Sequence, residues 1–416
     1  MKKLVYFFLL IAFVSFACKS SATPAPYATY PDYYSNNPMV HQVGKTIVDS
    51  DQKPLRLRGV NLGGWLLWEG WDFSKGADIS ENKIDAGLTN LVGAQAVADF
   101  HQQIYDTFIT EADIQRIAQL GFNSVRLPIN YQILEDDNNP YVYKDSGWQL
   151  IDRALAWCQK YNLYVILDLH SVPGGQSALP PSNPTPGEPR IWKSTDDQNR
   201  TIALWKAIAN RYKNQKIIAG YDLLNEPLPP SGADLIGLYE RIIAAIRQVD
   251  PYHMIVLEGG AFSSDFSMFA GPLSMNETYG FHMYTWFGDN RQKKLSQINA
   301  VSSAQNIPLW AGEFGDNTYD MISSTVAMYE DPANGVTAGW SFWTWKKVPS
   351  KYPALDSIIV PPGWQAVINW VNAPSKNPQP TAQQAQDAMK AFVNAVQLQN
   401  TQLDQRMVNA LTDNWH

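Results

Sequence analysis

The chain has 416 residues, 45% of them hydrophobic and 17% charged, enough for a large core in one large domain or two to three ordinary ones. A formal net charge of -7 repels a phosphate backbone and excludes nucleic acid as a natural partner. Of the 15 Trp and 20 Tyr part belongs to an ordinary core, and the Trp count is high enough to point also to flat apolar surfaces for a ligand such as a sugar ring.

In chain order, Met1, Lys2 and Lys3 precede fourteen apolar or small residues, LVYFFLLIAFVSFA, and then Cys18. A basic start followed by such a run reads as an export signal, and the run is short of the ~20 residues a membrane-spanning helix needs. Cys18 is expected to be lipidated at the end of a lipoprotein signal over residues 1–18, although Ser15 stands where that pattern has Leu or Val. The alternative is a plain secretory signal. Cys158 is the only other cysteine, so neither an internal disulfide nor a cysteine metal site is expected. Residues 19–38, KSSATPAPYATYPDYYSNNP, lack any period and read as a flexible tether. Residues 39–416 are expected to form a single domain.

That domain opens with two short strands around an Asp-Gln-Lys turn in VGKTIVDSDQKPLRLRGVNL. Strand-like and helix-like segments then alternate. LRLRGVNL leads, after a long insert, to ITEADIQRIAQLG, where Thr110 is a plausible N-cap with Asp113 three residues on. FNSVRLPI is followed by GWQLIDRALAWCQKY, LYVILDLH by TIALWKAIANRY, and IIAGYDLLNE by DLIGLYERIIAAIRQ. HMIVLEGG and TYGFHMY precede KLSQINAVSSAQ; IPLWAGEFG precedes DMISSTVAMYE; AGWSFWTWK is the last strand. Apolar runs such as YVILDL suit strands buried on both faces of a parallel sheet. Eight such units predict a closed (β/α)8 TIM barrel rather than an open doubly wound sheet. The tail from Pro361, including TAQQAQDAMKAFVNAVQL, reads as the final barrel helix with an extra C-terminal helix.

The strand ends carry the chemistry. Asn61, Arg126, His170, Asn225 with Glu226, Glu258, His282 with Tyr284, Glu313 and Trp343 fall at or near the C-terminal ends of the eight strands. In a barrel these positions converge on one mouth, where active sites are built. There is no G-x-S-x-G, no G-x-x-x-x-G-K-[ST] and no H-E-x-x-H, and GVNLGG lacks dinucleotide spacing. His170 and His282 with a carboxylate have the ligand types for a metal, but no metal and no cofactor is expected. Glu226 and Glu313, from the fourth and seventh strands, face each other, which is what glycosidic bond hydrolysis requires. One carboxyl donates a proton to the leaving oxygen, and the other supports or attacks the anomeric carbon. A gap of about 5–5.5 Å gives retention and one of about 6.5–9.5 Å gives inversion.

Over residues 55–346 the chain resembles glycoside hydrolase family 5, of the retaining (β/α)8 clan. RGVNLGGW, GFNSVRLPIN, LDLHSVPG, LLNEP, HMY, AGEFG and FWTWK occur in order. The resemblance implies Glu226 as acid/base, Glu313 as nucleophile and Asn225 as the amide bonding the sugar 2-hydroxyl. It implies Arg126 and Tyr284 beside the nucleophile, His170 and His282 lining the subsite, and Trp343 as its aromatic floor. Arg126 is then expected to lower the pKa of Glu313, while that of Glu226 rises beside a charged Glu313. RGVNLGGWLLWE and GWSFWTWK look most like the secreted exo-β-1,3-glucanases of this family, which implies that Glu69 binds the terminal sugar and Phe287 is half of an aromatic clamp. The loop over residues 171–194, with six prolines, lacks the clamp's other phenylalanine, and LEGGAF is closer to bacterial members called cellulases. Trp65, Trp68, Trp71 and Trp286, in strand-end loops, are candidates for stacking on pyranose faces or for packing. The expected function is that of an exported monomeric retaining β-glycoside hydrolase acting on β-glucan, β-1,3-glucan favoured, and meeting a membrane only through a lipid on Cys18. The alternatives are an endo-β-1,4-glucanase or mannanase on the same residues, or an inactive carbohydrate-binding surface protein.

Overall fold

Eight apolar runs become eight parallel strands whose residues are nearly all buried on both faces. In the computed structural model, which describes residues 37–183, 189–286 and 288–415, they are β1 (Leu57–Asn61), β2 (Ser124–Asn130), β3 (Tyr164–Ser171), β4 (Ile218–Asp222), β5 (Met254–Glu258), β6 (Glu277–His282), β7 (Leu309–Gly315) and β8 (Gly339–Trp343). Each pairs with its neighbour in sequence, and β8 pairs in parallel with β1, so the sheet closes into the (β/α)8 barrel. The signal at 1–18, most of the tether at 19–38 and Phe287 lie outside the described residues.

Local sequence signals start the helices. Thr110 and Asp113 form a reciprocal capping box on Glu111–Gln119, with the Thr110 N–H donating to Asp113 Oδ2 at 2.9 Å. Ser194 and Ser231 cap Thr195–Tyr212 and Gly232–Arg247 through hydroxyls that accept from the third residue on. Asp145–Lys160, Arg291–Gln305 and Tyr319–Glu330 complete the helices that follow strands. Between β5 and β6 the helical layer is replaced by one short turn, Gly260–Ser263.

The N-terminal hairpin gains a third strand: His41–Val43, Thr46–Val48 and Pro54–Leu55 pair antiparallel. Val40 and Ile47 pack there against Leu57, Ile166, Met254 and Trp310, closing the bottom of the barrel. In the tail, Ala382–Ala395 packs against Pro362–Asn372 and two helices of the β1 insert, Glu81–Val92 and Ala94–Thr107. The last helix, Gln405–Thr412, lies against Tyr319–Glu330, with Trp415 edge-on to Phe122 at 5.4 Å. Amphipathic periodicity shows that a helix has an apolar face but not which of several apolar surfaces receives it.

Among the described residues no helix is long and apolar enough to cross a membrane.

Candidate active site

At the C-terminal mouth a buried lattice of charge forms around Arg126. Its Nη1 donates to Glu313 Oε1 at 2.6 Å and to Asn61 Oδ1 at 3.2 Å. Its Nε donates to Asp222 Oδ2 at 2.9 Å, and its Nη2 reaches Asn225 Oδ1 at 2.8 Å, Glu258 Oε1 at 3.0 Å and Asp168 Oδ2 at 3.1 Å. The fork of five N–H groups suits this role, since it can serve several planar acceptors at once. Asp168 and Asp222 were missed by motif reading. Their signal was an aspartate inside otherwise apolar strands, YVILDL and YDLL, where an unpaired charge has no place.

Glu313 is brought to the mouth by a register irregularity. Pairing of β6 with β7 runs from Phe281 opposite Ala311 directly to His282 opposite Glu313, skipping Gly312. A Cβ on Gly312 would stand 3.0 Å from His282 Nε2, so the glycine makes room for the ring. Tyr284 donates its hydroxyl to Glu313 Oε2 at 2.9 Å, so each Glu313 oxygen has a donor. Burial raises the Glu313 carboxyl above its ordinary range; His282 and Arg126 pull it back and Glu226 pushes it up again, leaving it raised. The net direction is opposite to the lowering expected from Arg126 alone, because desolvation outweighs the cation.

β4 ends at Asp222, so Asn225 and Glu226 lie beyond the strand, in a bend where Glu226 adopts φ 45°. Its Oε1 lies 2.9 Å from His282 Nδ1. The facing oxygens of Glu226 and Glu313 and a nitrogen of His282 all lie within 4.8 Å of one another. Arg126 donating to Asn225 Oδ1 fixes which end of the amide faces it, leaving the Nδ2 donors for another partner.

The far wall is formed by Glu69, His170 and Trp343, all buried. His170 donates to Asp168 Oδ2 at 2.6 Å through Nδ1 and sits 3.2 Å from Glu69 Oε1 through Nε2. Burial disfavours its charge, but Asp168 and Glu69 together outweigh that and raise His170 to about 10. Burial pushes Glu69 up to about 7, with His170 opposing. The Trp343 indole stacks on the His170 ring at 5.4 Å, and a Cβ on Gly63 would meet it at 2.8 Å.

The aromatic candidates divide. Trp65 and Trp68 are packing residues, donating their indole N–H groups to Tyr105 O and Trp65 O inside the β1 insert. Trp71 is half-buried. Trp286 is 53% exposed and stacks on Tyr284, the partner of Glu313, at 4.3 Å.

Among the described residues two sets of side chains have metal-ligand types, Glu81–Asp85–His101 and Glu226–His282–Glu313. In the second, burial opposes charge on His282, but Glu258 and Glu313 prevail and hold it well above the usual imidazole range.

A closed parallel barrel with two carboxyls, an arginine and an amide at its C-terminal mouth is the arrangement of an O-glycosyl hydrolase. The chain belongs to glycosyl hydrolase family 5, whose cellulase model matches residues 80–348. It is 33% identical over 339 residues to a β-xylosidase of Phanerodontia chrysosporium, covering 73% of this chain and 70% of that one. It is 34% identical over 351 residues to a probable glucan 1,3-beta-glucosidase A of Neosartorya fischeri, covering 70% and 82%. With endoglucanase C of Acetivibrio thermocellus it shares 32% over 237 residues, 56% of this chain and 59% of that one. The crystal structure of a rutinosidase from Aspergillus niger has the same fold, with TM-score 0.57 and 21% identity over 71% of this chain and 90% of that one.

Proposed function

We propose that the chain is a retaining β-glycoside hydrolase cleaving β-glucan, β-1,3-glucan in the first place, with Glu313 as nucleophile and Glu226 as acid/base. The observation that carries the reading is the approach of their oxygens to within 4.8 Å. So close an approach of the nearest oxygens supports the roughly 5–5.5 Å carboxyl gap of retaining pairs over the roughly 6.5–9.5 Å gap of inverting ones.

In the first half-reaction a Glu313 oxygen bonds to the anomeric carbon as the glycosidic C–O bond breaks, and Glu226 gives its proton to the departing oxygen. In the second, water attacks the same carbon, its proton returns to Glu226, and Glu313 leaves as carboxylate. Arg126 and Tyr284 each donate to one oxygen of the nucleophile and so fix the orientation of its carboxylate for attack. Asn225 Nδ2 meets the 2-hydroxyl, and Trp343 with His170 forms the floor under the ring. Glu69 binds the terminal sugar's hydroxyls from the far wall. No cofactor enters this scheme. The probable glucan 1,3-beta-glucosidase and the endoglucanase among its relatives support glucan as substrate. Export and attachment through Cys18 belong to the same proposal, and the mass of the mature N-terminus checks them.

The test is reducing-sugar release from laminarin, mixed-linkage β-glucan, carboxymethylcellulose, glucomannan and xylo-oligosaccharides, by protein without residues 1–18 beside Glu313→Ala. The expected result is turnover of laminarin that falls on the order of 10⁴-fold in the variant. Turnover confined to carboxymethylcellulose or glucomannan moves the substrate to β-1,4-linked chains. Tight binding with no variant-sensitive release identifies a sugar-binding protein and overturns the reading.

A further inference from the structure

Glu258 ends β5, is fully buried, and takes no part in the scheme above. Its two oxygens are divided between two tasks. Oε2 accepts the backbone N–H of Glu226 at 2.6 Å and the hydroxyl of Ser263. Oε1 lies 3.2 Å from His282 Nε2 and 3.0 Å from Arg126 Nη2. The other nitrogen of the same imidazole, Nδ1, meets Glu226 Oε1 at 2.9 Å. The contacts close a ring: Glu258 to the Glu226 backbone, along the Glu226 side chain to His282, and through His282 back to Glu258.

Both residues held by Oε2 have left-handed backbones. Glu226 has φ 45°, and Ser263 has φ 55° as the third of a run with Ala261 at 52° and Phe262 at 58°. Residues with side chains keep this conformation only where their surroundings over-determine it. Here one carboxylate oxygen ties two such turns together. The β5–β6 connection, which has no barrel helix, delivers the Ser263 hydroxyl to it.

We propose that Glu258 is a positioning residue for the acid/base, fixing Glu226 at its backbone directly and at its side chain through His282. The proposal rests on the reading of Glu226 as the acid. Oε1 of Glu226 is occupied by the imidazole N–H, so Oε2 carries the proton that passes to the glycosidic oxygen as the C–O bond breaks. Burial would push Glu258 up, but His282 and Arg126 hold it ionised at about 2, so at working pH it accepts from the Glu226 N–H, the Ser263 hydroxyl and Arg126 and faces His282 Nε2 as its counter-ion at 3.2 Å.

The test uses two β-glycosides of the sugar identified by the substrate panel. A 2,4-dinitrophenyl leaving group departs without protonation, whereas the methyl glycoside needs the acid. Glu258→Gln keeps the size but removes the charge. Its kcat/KM on the methyl glycoside is expected to fall about 10²-fold, with a loss of less than about 5-fold on the dinitrophenyl glycoside. Ser263→Ala, which removes one hydroxyl, is expected to show the same split at about 3-fold to 10-fold. Equal losses on both substrates, or no change on either, overturn the proposal. If Glu258→Gln does not fold, Ser263→Ala decides alone. Glu226→Gln is measured alongside. If it lacks the leaving-group split, the assignment of the acid falls, and the positioning role with it.

Discussion

Arg126 is the only arginine within reach of Asp168, Asp222, Glu258 and Glu313 among the described residues, and it is itself sealed from water. Burying ions is favourable only while each is paired, and removing one partner of a buried pair typically costs about 3–5 kcal/mol. Arg126→Met would deprive several carboxylates at once. It is expected to destabilise by at least that amount, seen as a lower urea midpoint, so its loss of activity would not report on catalysis alone. Arg126→Lys is expected to fall between, because one ammonium cannot replace a fork serving acceptors on several strands. Residue identity announced Arg126, Glu226 and Glu313, since they sit in VRLPIN, LLNEP and AGEFG. It did not announce Glu258 as a partner of Glu226, because 32 residues separate them and only adjacent barrel strands bring them together. Nor did it place Trp65 and Trp68 inward: a loop tryptophan has no period from which its direction can be read.

At the scale of elements, Asp113 shows one side chain serving two structures. Its Oδ2 closes the capping box with Thr110, and its Oδ1 pairs with the buried Lys346 ammonium at 2.6 Å and accepts from Trp345 Nε1 at 3.0 Å. It thereby joins the start of Glu111–Gln119 to the chain leaving β8. A cap alone is worth about 1 kcal/mol. Asp113→Ala is expected to cost about 3–5 kcal/mol, because it also leaves Lys346 without its carboxylate. A loss near 1 kcal/mol in chemical denaturation would mean that the ion pair adds nothing beyond the cap. The cap was legible from the spacing of Thr110 and Asp113; the ion pair, 233 residues away in sequence, was not. The same limit applies to the tail, where the helix Ala382–Ala395 was visible as a period but its seat against the β1 insert was not.

For the whole molecule, buried carboxyls set the dependence of stability on pH. Burial pushes Glu277 to about 8 and Glu81 to about 7, alongside Glu69 at about 7. The unfolded chain releases these protons near 4.5 while the folded chain keeps them, so stability is greatest below that point and falls as pH rises to about 8. Glu258 acts in the opposite sense. Its lowered value makes its contribution present above about 4.5 and lost toward pH 2. The urea midpoint is therefore expected to decline steadily from pH 5 to pH 8. Glu277→Gln keeps an oxygen for the Leu273 and Ser274 N–H groups and should remove about 1.4 kcal/mol per pH unit of that slope. An unchanged slope would show that Glu277 is already ionised in the fold.

The sequence by itself determined the alternation of eight strands with helices, the caps and the two glutamates in their motifs. These are properties of local period and residue identity, readable within about a dozen positions. Tertiary structure alone decided the rest: the close approach of Glu226 and Glu313, the inward turn of Trp65 and Trp68, the seat of the tail helices and the ring through Glu258 and His282. Each depends on closure of the barrel, which sets residues far apart in the chain side by side.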